Sequence, residues 1–92
     1  MSNFKEFVDV VHSIRDKELL EDFLVAITTD TERKELARRL EITKRLVQGI
    51  PQLKIANDLG VGIATVTRGS KELSQGRFKA LRKEGKENEP NS

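Results

Sequence analysis

The sequence predicts an all-α fold of roughly six helices, on three observations. Apolar residues recur at intervals of three and four along successive stretches, the spacing of one helix face. No stretch alternates apolar and polar residues with period two, and no hairpin signal appears. Gly49, Pro51, Gly60 and Gly76 fall between the apolar stretches, where they break helices.

Phe4, Phe7, Val8, Val11 and Ile14 share a face, which predicts a first helix from Asn3 to about Arg15. Asn3 or Ser2 can cap it, with Glu6 in its first turn. His12 lies at its edge and reads as a partly exposed surface residue with no partner nearby in sequence. Leu19, Leu20, Phe23, Leu24 and Ile27 form a second stripe, so a helix is expected over about Lys17 to Ala26. Thr29, Asp30 or Thr31 can cap a third helix running to about Gln48. Leu36, Leu40, Thr43 and Val47 share one of its faces, with Ile42 and Leu46 beside it. Apolar residues on more than one side are expected of a central helix.

Gly49 stops that helix and Pro51 opens the next, where its missing N–H is harmless. Gln52 to Lys71 then reads as two short helices around a tight turn. Gln52, Ala56, Gly60 and Val66 fall at helix-turn-helix spacing. Ala56 is small enough for a close crossing, Gly60 accepts positive φ at the turn, and Val66 pins the second helix. Leu59, Val61 and Leu73 complete the expected apolar floor. The second helix, about Ile63 to Leu73, turns small and hydroxylated residues outward, then Arg68 and Lys71. That face suits a DNA groove and phosphates better than a protein core. The plainer reading is an αα-hairpin inside a bundle. Phe78 and Leu81 can anchor a short last helix, about Arg77 to Lys83. The stretch EGKENEPNS, 84–92, has no apolar residue and reads as a disordered tail.

Ninety-two residues make one small domain, expected over 1–83 with the helix-turn-helix at about 51–73. With no Cys and one His, neither disulfide nor metal can staple it, which leaves dimerisation as the route to a larger core. The lack of Cys fits a reducing cytoplasm, and no apolar run or leader pattern directs the chain to a membrane. Net charge is only +2, but it is unevenly spread. Met1–Glu32 carries 3 basic and 8 acidic side chains, whereas Arg33–Ser92 carries 14 basic and 7 acidic. A basic half that contains the helix-turn-helix is expected of a nucleic-acid-binding face. No nucleophile elbow, phosphate loop or metal-ligand cluster appears, so an enzyme is not expected and no catalytic residue is assigned.

The run GIATVTRGS, Gly62 to Ser70, resembles the tryptophan repressor family. ITTDTERKEL, from Ile27, and RRLEITKRLVQG, from Arg38, extend the resemblance to about Val8–Leu73. It implies an intertwined homodimer that binds operator DNA with L-tryptophan as corepressor, and no other cofactor. By position, Arg39 and Arg68 match the arginines that sandwich the ligand's indole. A guanidinium suits that stacking, and Arg68 can also pair with the carboxylate. Thr28 matches the threonine that meets the carboxylate. The carbonyls of Val25 and Ile27 match those that take the ammonium, from the other subunit. Gly69 matches a close backbone approach. For Arg33, Arg38 and Arg45 exposed salt bridges are the preferred reading. Toward DNA, Gly62, Ile63, Ala64 and Thr65 match the start of the recognition helix. Thr67 matches a further contact, Gln52 a phosphate contact, and Lys71 is placed to reach the backbone.

Some positions depart from the family. Two often basic ones are Leu53 and Ala56 here, and Lys54 can replace part of that charge. A serine near the ligand's ammonium is replaced by Glu72, which can pair with that ammonium or face water. The Thr28–Leu36 loop is one residue longer than usual and the turn after Gly49 one shorter. Two other functions compete: an effector-independent DNA-binding relative of the same fold, and a helical protein-interaction adaptor.

Overall fold

The structure, a computed structural model, describes residues 1–82. The expected tail, 84–92, and Lys83 of the expected last helix lie outside the described residues. Among the described residues there is no strand. The described residues form five helices: α1 (Phe4–Ser13), α2 (Lys17–Ile27), α3 (Asp30–Val47), α4 (Gln52–Leu59) and α5 (Ile63–Ser74). A sixth helical stretch occupies 79–82. The all-α prediction holds. The chain forms two compact units, with the boundary inside α3 after Glu35.

In the first unit, Asn3 caps α1 by accepting from the Glu6 N–H at 2.9 Å, and Asp16 caps α2 by accepting from Leu19 at 3.0 Å. The Asp16 cap explains why α1 ends at Ser13, two residues short of expectation. The chain must leave the helix to enter the next cap, and Ile14 is extended. Thr29 and Glu32 form a capping box for α3. The Glu32 N–H donates to Thr29 Oγ1 at 3.1 Å, and the Thr29 N–H to Glu32 Oε1 at 2.8 Å. Phe7 meets both Phe4 and Phe23, with ring centroids 6.2 and 6.1 Å apart.

The second unit holds a closed core of Ile42 from α3, Ile55 and Ala56 from α4, and Val66 from α5. Ile55 and Val66 are fully buried, each worth roughly 1.5–3 kcal/mol of hydrophobic transfer. Leu46, Ile50, Leu59 and Val61 pack around them. Leu73 is half-buried and lies outside this cluster. α4 starts at Gln52, so Pro51 stands one place earlier than expected, as the cap residue in extended backbone. α4 ends at Gly60, whose φ of +65° would strain a side-chain-bearing residue. There the Val61 N–H donates to the Ala56 carbonyl and the Gly60 N–H to that of Asn57. The same bond pair closes α3 at Gly49 and α5 at Gly76.

Candidate functional site

α4 and α5 cross over the Ile55–Val66 pair, with Ala56 only 7% exposed at the crossing. Outward from that pivot, Gly62, Ile63, Ala64, Thr65, Thr67 and Lys71 are all exposed along α5. Gly62 caps α5 with φ −68° and ψ 145°, a conformation open to any residue, and a Cβ there would meet nothing within 4 Å. The fold itself therefore gives no reason for a glycine at this position.

Two of the expected DNA residues are tied together inside the reading head. Thr67 Oγ1 donates to Gln52 Oε1 at 2.9 Å, and Gln52 Nε2 donates to Ser70 Oγ at 3.1 Å. Gln52 is thus half-buried and spans the start of α4 and the middle of α5. Lys54 pairs with Asp58 at 3.1 Å while staying largely exposed. Asp58 in turn approaches Arg45 at 3.8 Å, and Arg45 donates to Glu41 at 2.8 Å. These links join α3 to α4. The Arg45 bond, with Lys44 nearby, holds the Glu41 carboxyl below the ordinary range.

The second unit also contains a cavity of about 440 Å³. Four of the residues assigned to the ligand, Arg39, Arg68, Gly69 and Glu72, line it together. Its apolar wall includes Leu40 and Ile42, and Phe78 and Leu81 close it from beyond α5. The sequence marked Phe78 and Leu81 only as anchors of a last helix. Phe78 has φ +62°, the one positive φ outside glycine among the described residues. No local sequence signal announces that turn beyond the preceding Gly76. Gly69 has a packing role of its own. A Cβ there would stand 3.2 Å from Leu46 Cδ1 and 3.7 Å from Ile42 Cγ2, so glycine lets α5 seat against α3.

Val25, Ile27 and Thr28 belong to the first unit, at the end of α2. Their polar atoms are largely engaged. Thr28 Oγ1 donates to the Leu24 carbonyl. Arg33 Nη1 donates to the carbonyls of Val25 at 2.9 Å and Thr28 at 2.8 Å, and lies 3.2 Å from Thr28 Oγ1. Arg33 is therefore not a simple exposed salt bridge. Its contact with Asp30 is long, 4.0 Å, and its guanidinium chiefly satisfies the end of α2, whose last turn has no basic residue of its own. Arg45, by contrast, makes the expected ion pairs. His12 is exposed, as expected.

Among the described residues no group of His, Cys, Asp and Glu could hold a metal ion. No helix of the described residues is long and apolar enough to cross a membrane. An exposed recognition helix, a glycine turn and a buried valine pivot define the class: a helix-turn-helix DNA-binding protein. Comparison with known proteins supplies the particular family. The family model described as Trp repressor protein matches residues 2–83, and the chain belongs to that family of DNA-binding repressors. A Trp operon repressor homolog of Vibrio cholerae is 41% identical over 73 residues, covering 78% of this chain and 71% of the relative. Those of Vibrio campbellii and Aliivibrio salmonicida are 39% and 34% identical over 72 and 73 residues. They cover 77% and 78% of this chain, and 72% and 68% of their own lengths. No solved structure matches.

Proposed function

We propose that the protein is a homodimeric repressor that needs L-tryptophan to bind its operator. The observation that carries the ligand is the cavity, where Arg39 and Arg68 share an apolar-walled space with Glu72. Two guanidinium planes suit an indole face, an apolar wall suits its edge, and Arg68 can pair with a carboxylate. Exposed apolar side chains along α1 and α2 support a partner copy, among them Phe4 (77% exposed) and Leu19 (63%). Bound tryptophan would hold the two reading heads at the 34–36 Å spacing of successive major grooves, and it acts through its preference for that arrangement.

On DNA, Ile63, Ala64 and Thr65 meet base edges and phosphate at the start of α5, and Gly62 lets the backbone approach closely. Thr67 and Gln52 act as one hydrogen-bonded pair beside them. Lys54 and Lys71 serve the phosphate backbone. One observation favours a relative that works without an effector: the Thr28 hydroxyl proton and the Val25 carbonyl are already engaged within the chain. Calorimetry separates the two readings. The tryptophan reading expects saturable binding of L-tryptophan and a loss of about 1–3 kcal/mol in Arg68→Ala, which removes a charged hydrogen bond. Arg39→Ala, which loses stacking alone, should cost about 0.5–2 kcal/mol. No heat of binding, together with a tryptophan-independent DNA shift, would leave the effector-free relative.

A further inference from the structure

We propose that Asp58 restrains the sequence-independent part of DNA binding: it holds the Lys54 ammonium on α4, and Arg45 takes up its charge when Lys54 turns to a phosphate. The proposal rests on the reading of Lys54 as a phosphate contact. Four side chains of alternating sign run from α3 to α4. Glu41 Oε2 accepts from Arg45 Nε at 2.8 Å, Arg45 Nη1 lies 3.8 Å from Asp58 Oδ2, and the same oxygen lies 3.1 Å from Lys54 Nζ. Lys54 and Asp58 stand one turn apart on α4, so they share a face of a reading-head helix. The Asp58 carboxylate therefore faces two cations and is close to one of them.

Exposure decides which cation can leave. The Lys54 side chain is 62% exposed and its ammonium sits on a flexible stem, so its pair with Asp58 is weak in water. Arg45 is 29% exposed, and its guanidinium is fixed by the bond to Glu41. Lys54 is thus the mobile member and Arg45 the fixed one. To meet DNA, Lys54 must give up Asp58, and the carboxylate left behind repels the same phosphates. Both effects subtract from the affinity that phosphate contacts supply. Arg45 limits the loss, because its Nη1 stands ready to close the 3.8 Å gap to Asp58. Phosphate contacts carry no sequence information, so the restraint falls on every duplex alike.

The test is a set of binding isotherms of the full chain on two duplexes of unrelated sequence, at several salt concentrations. Asp58→Asn should bind both about twofold to fivefold more tightly per subunit, the size of one exposed ion pair, and steepen the salt slope by up to roughly 1 per subunit. Lys54→Gln should remove that gain, costing more in the Asp58→Asn background than in wild type. Arg45→Gln should weaken both duplexes, and adding Asp58→Asn should rescue it. A damaged fold would not be rescued by a second substitution, and a melting curve of each variant reads the fold directly. If Lys54→Gln weakens binding in wild type while Asp58→Asn binds no tighter, the proposal is overturned and Lys54 keeps its phosphate. An Arg45→Gln loss that persists beside Asp58→Asn would overturn the exchange between the two cations. If Lys54→Gln changes nothing in either background, the phosphate reading of Lys54 itself fails and takes the proposal with it.

Discussion

The two units of the chain are built from the same kind of helix and end up differently. Met1–Glu35 has well-capped amphipathic helices and not one buried residue. Among the described residues, the second unit holds every buried side chain: Ile42, Thr43, Ile55, Ala56 and Val66. Helix α3, whose larger part lies in this unit, is rich in charge, yet it contributes Ile42 and Thr43 to the interior. Apolar content thus does not decide which region is finished. Crossing geometry does: Ala56 is buried where α4 crosses α5 and Gly69 lets α5 seat against α3, which closes a core, and α1 and α2 have no such crossing to bury their stripes. The exposed stripes of the first unit are what the proposed homodimer would cover.

The largest effects should separate the units. Ile55→Ala should destabilise the fold by about 2–5 kcal/mol, since a fully buried side chain leaves a cavity. Leu19 is 63% exposed, and on a free surface Leu19→Ser would stay within about 0.5 kcal/mol. Under a partner copy it should instead lower the melting temperature in a concentration-dependent way and weaken the dimer in sedimentation at low micromolar protein. A folded wild-type monomer under those conditions would break the comparison, because the first unit would then need no partner.

Next in size are the proposed contacts with DNA, all from residues of the second unit. Thr65→Ala should weaken operator more than random duplex, by about 1–3 kcal/mol, with little change in salt slope. Lys71→Ala should weaken every sequence about equally and lower the salt slope by roughly 1 per subunit. Binding isotherms on both duplexes at several salt concentrations would check this, and the reverse pattern would mean that α5 enters the groove the other way round. Leu19→Ser should spare random duplex and lose operator preference, since each reading head survives while their spacing does not.

Much of the fold was legible because its signals are local. The helical periods, the Asn3 cap, a cap at Thr29 and the Gly60 turn each need only a few neighbouring residues. Ile55 was not singled out for the floor, although it is the most buried residue of α4. Leu53 and Ile55 are equally apolar and two places apart, but one is 70% exposed and the other fully buried. Which side of an eight-residue helix faces inward depends on the helices it crosses, and a short pattern does not contain that. The site divides the same way. The motif placed Arg39, Arg68, Gly69 and Glu72 near one another in expectation, and they line one cavity. The Gln52–Thr67–Ser70 bonds and the Arg33 cap of α2 join residues through tertiary geometry, so no spacing rule announces them.

A smaller effect sharpens the division between what the reading head needs for folding and what it needs for DNA. Gly62 has ordinary φ and open space around it. Gly62→Ser supplies a capping hydroxyl to α5 and should raise stability by a few tenths of a kcal/mol, roughly the difference between serine and glycine caps. The same change puts a side chain where DNA backbone is expected, so affinity for any duplex should fall. A melting curve and one isotherm suffice, and unchanged DNA binding would remove Gly62 from the interface.

The smallest effect is a pH dependence of an ion pair in the second unit. Around Asp30 in the first unit, the ion pairs to Lys34 at 3.1 Å and to Arg33 at 4.0 Å stay inside one helix. In the second, Glu41 holds Arg45, and Arg45 reaches Asp58 on α4. Glu41 titrates below its ordinary value when folded, chiefly because Arg45 bonds the charged form. A depressed folded pKa means that the unfolded chain takes up the proton first as pH falls. The contribution of the pair is therefore complete above the ordinary carboxylate value and disappears as pH falls through the lower folded value. Melting temperatures of wild type and Glu41→Gln, followed from neutral into strongly acid buffer, should differ by a small constant amount at first and converge in acid. High salt should shrink the gap, because the pair is exposed to solvent. A gap that persisted undiminished below the carboxylate range would mean that the Gln side chain disturbs packing rather than charge, and α3 would then hold α4 by the apolar core alone.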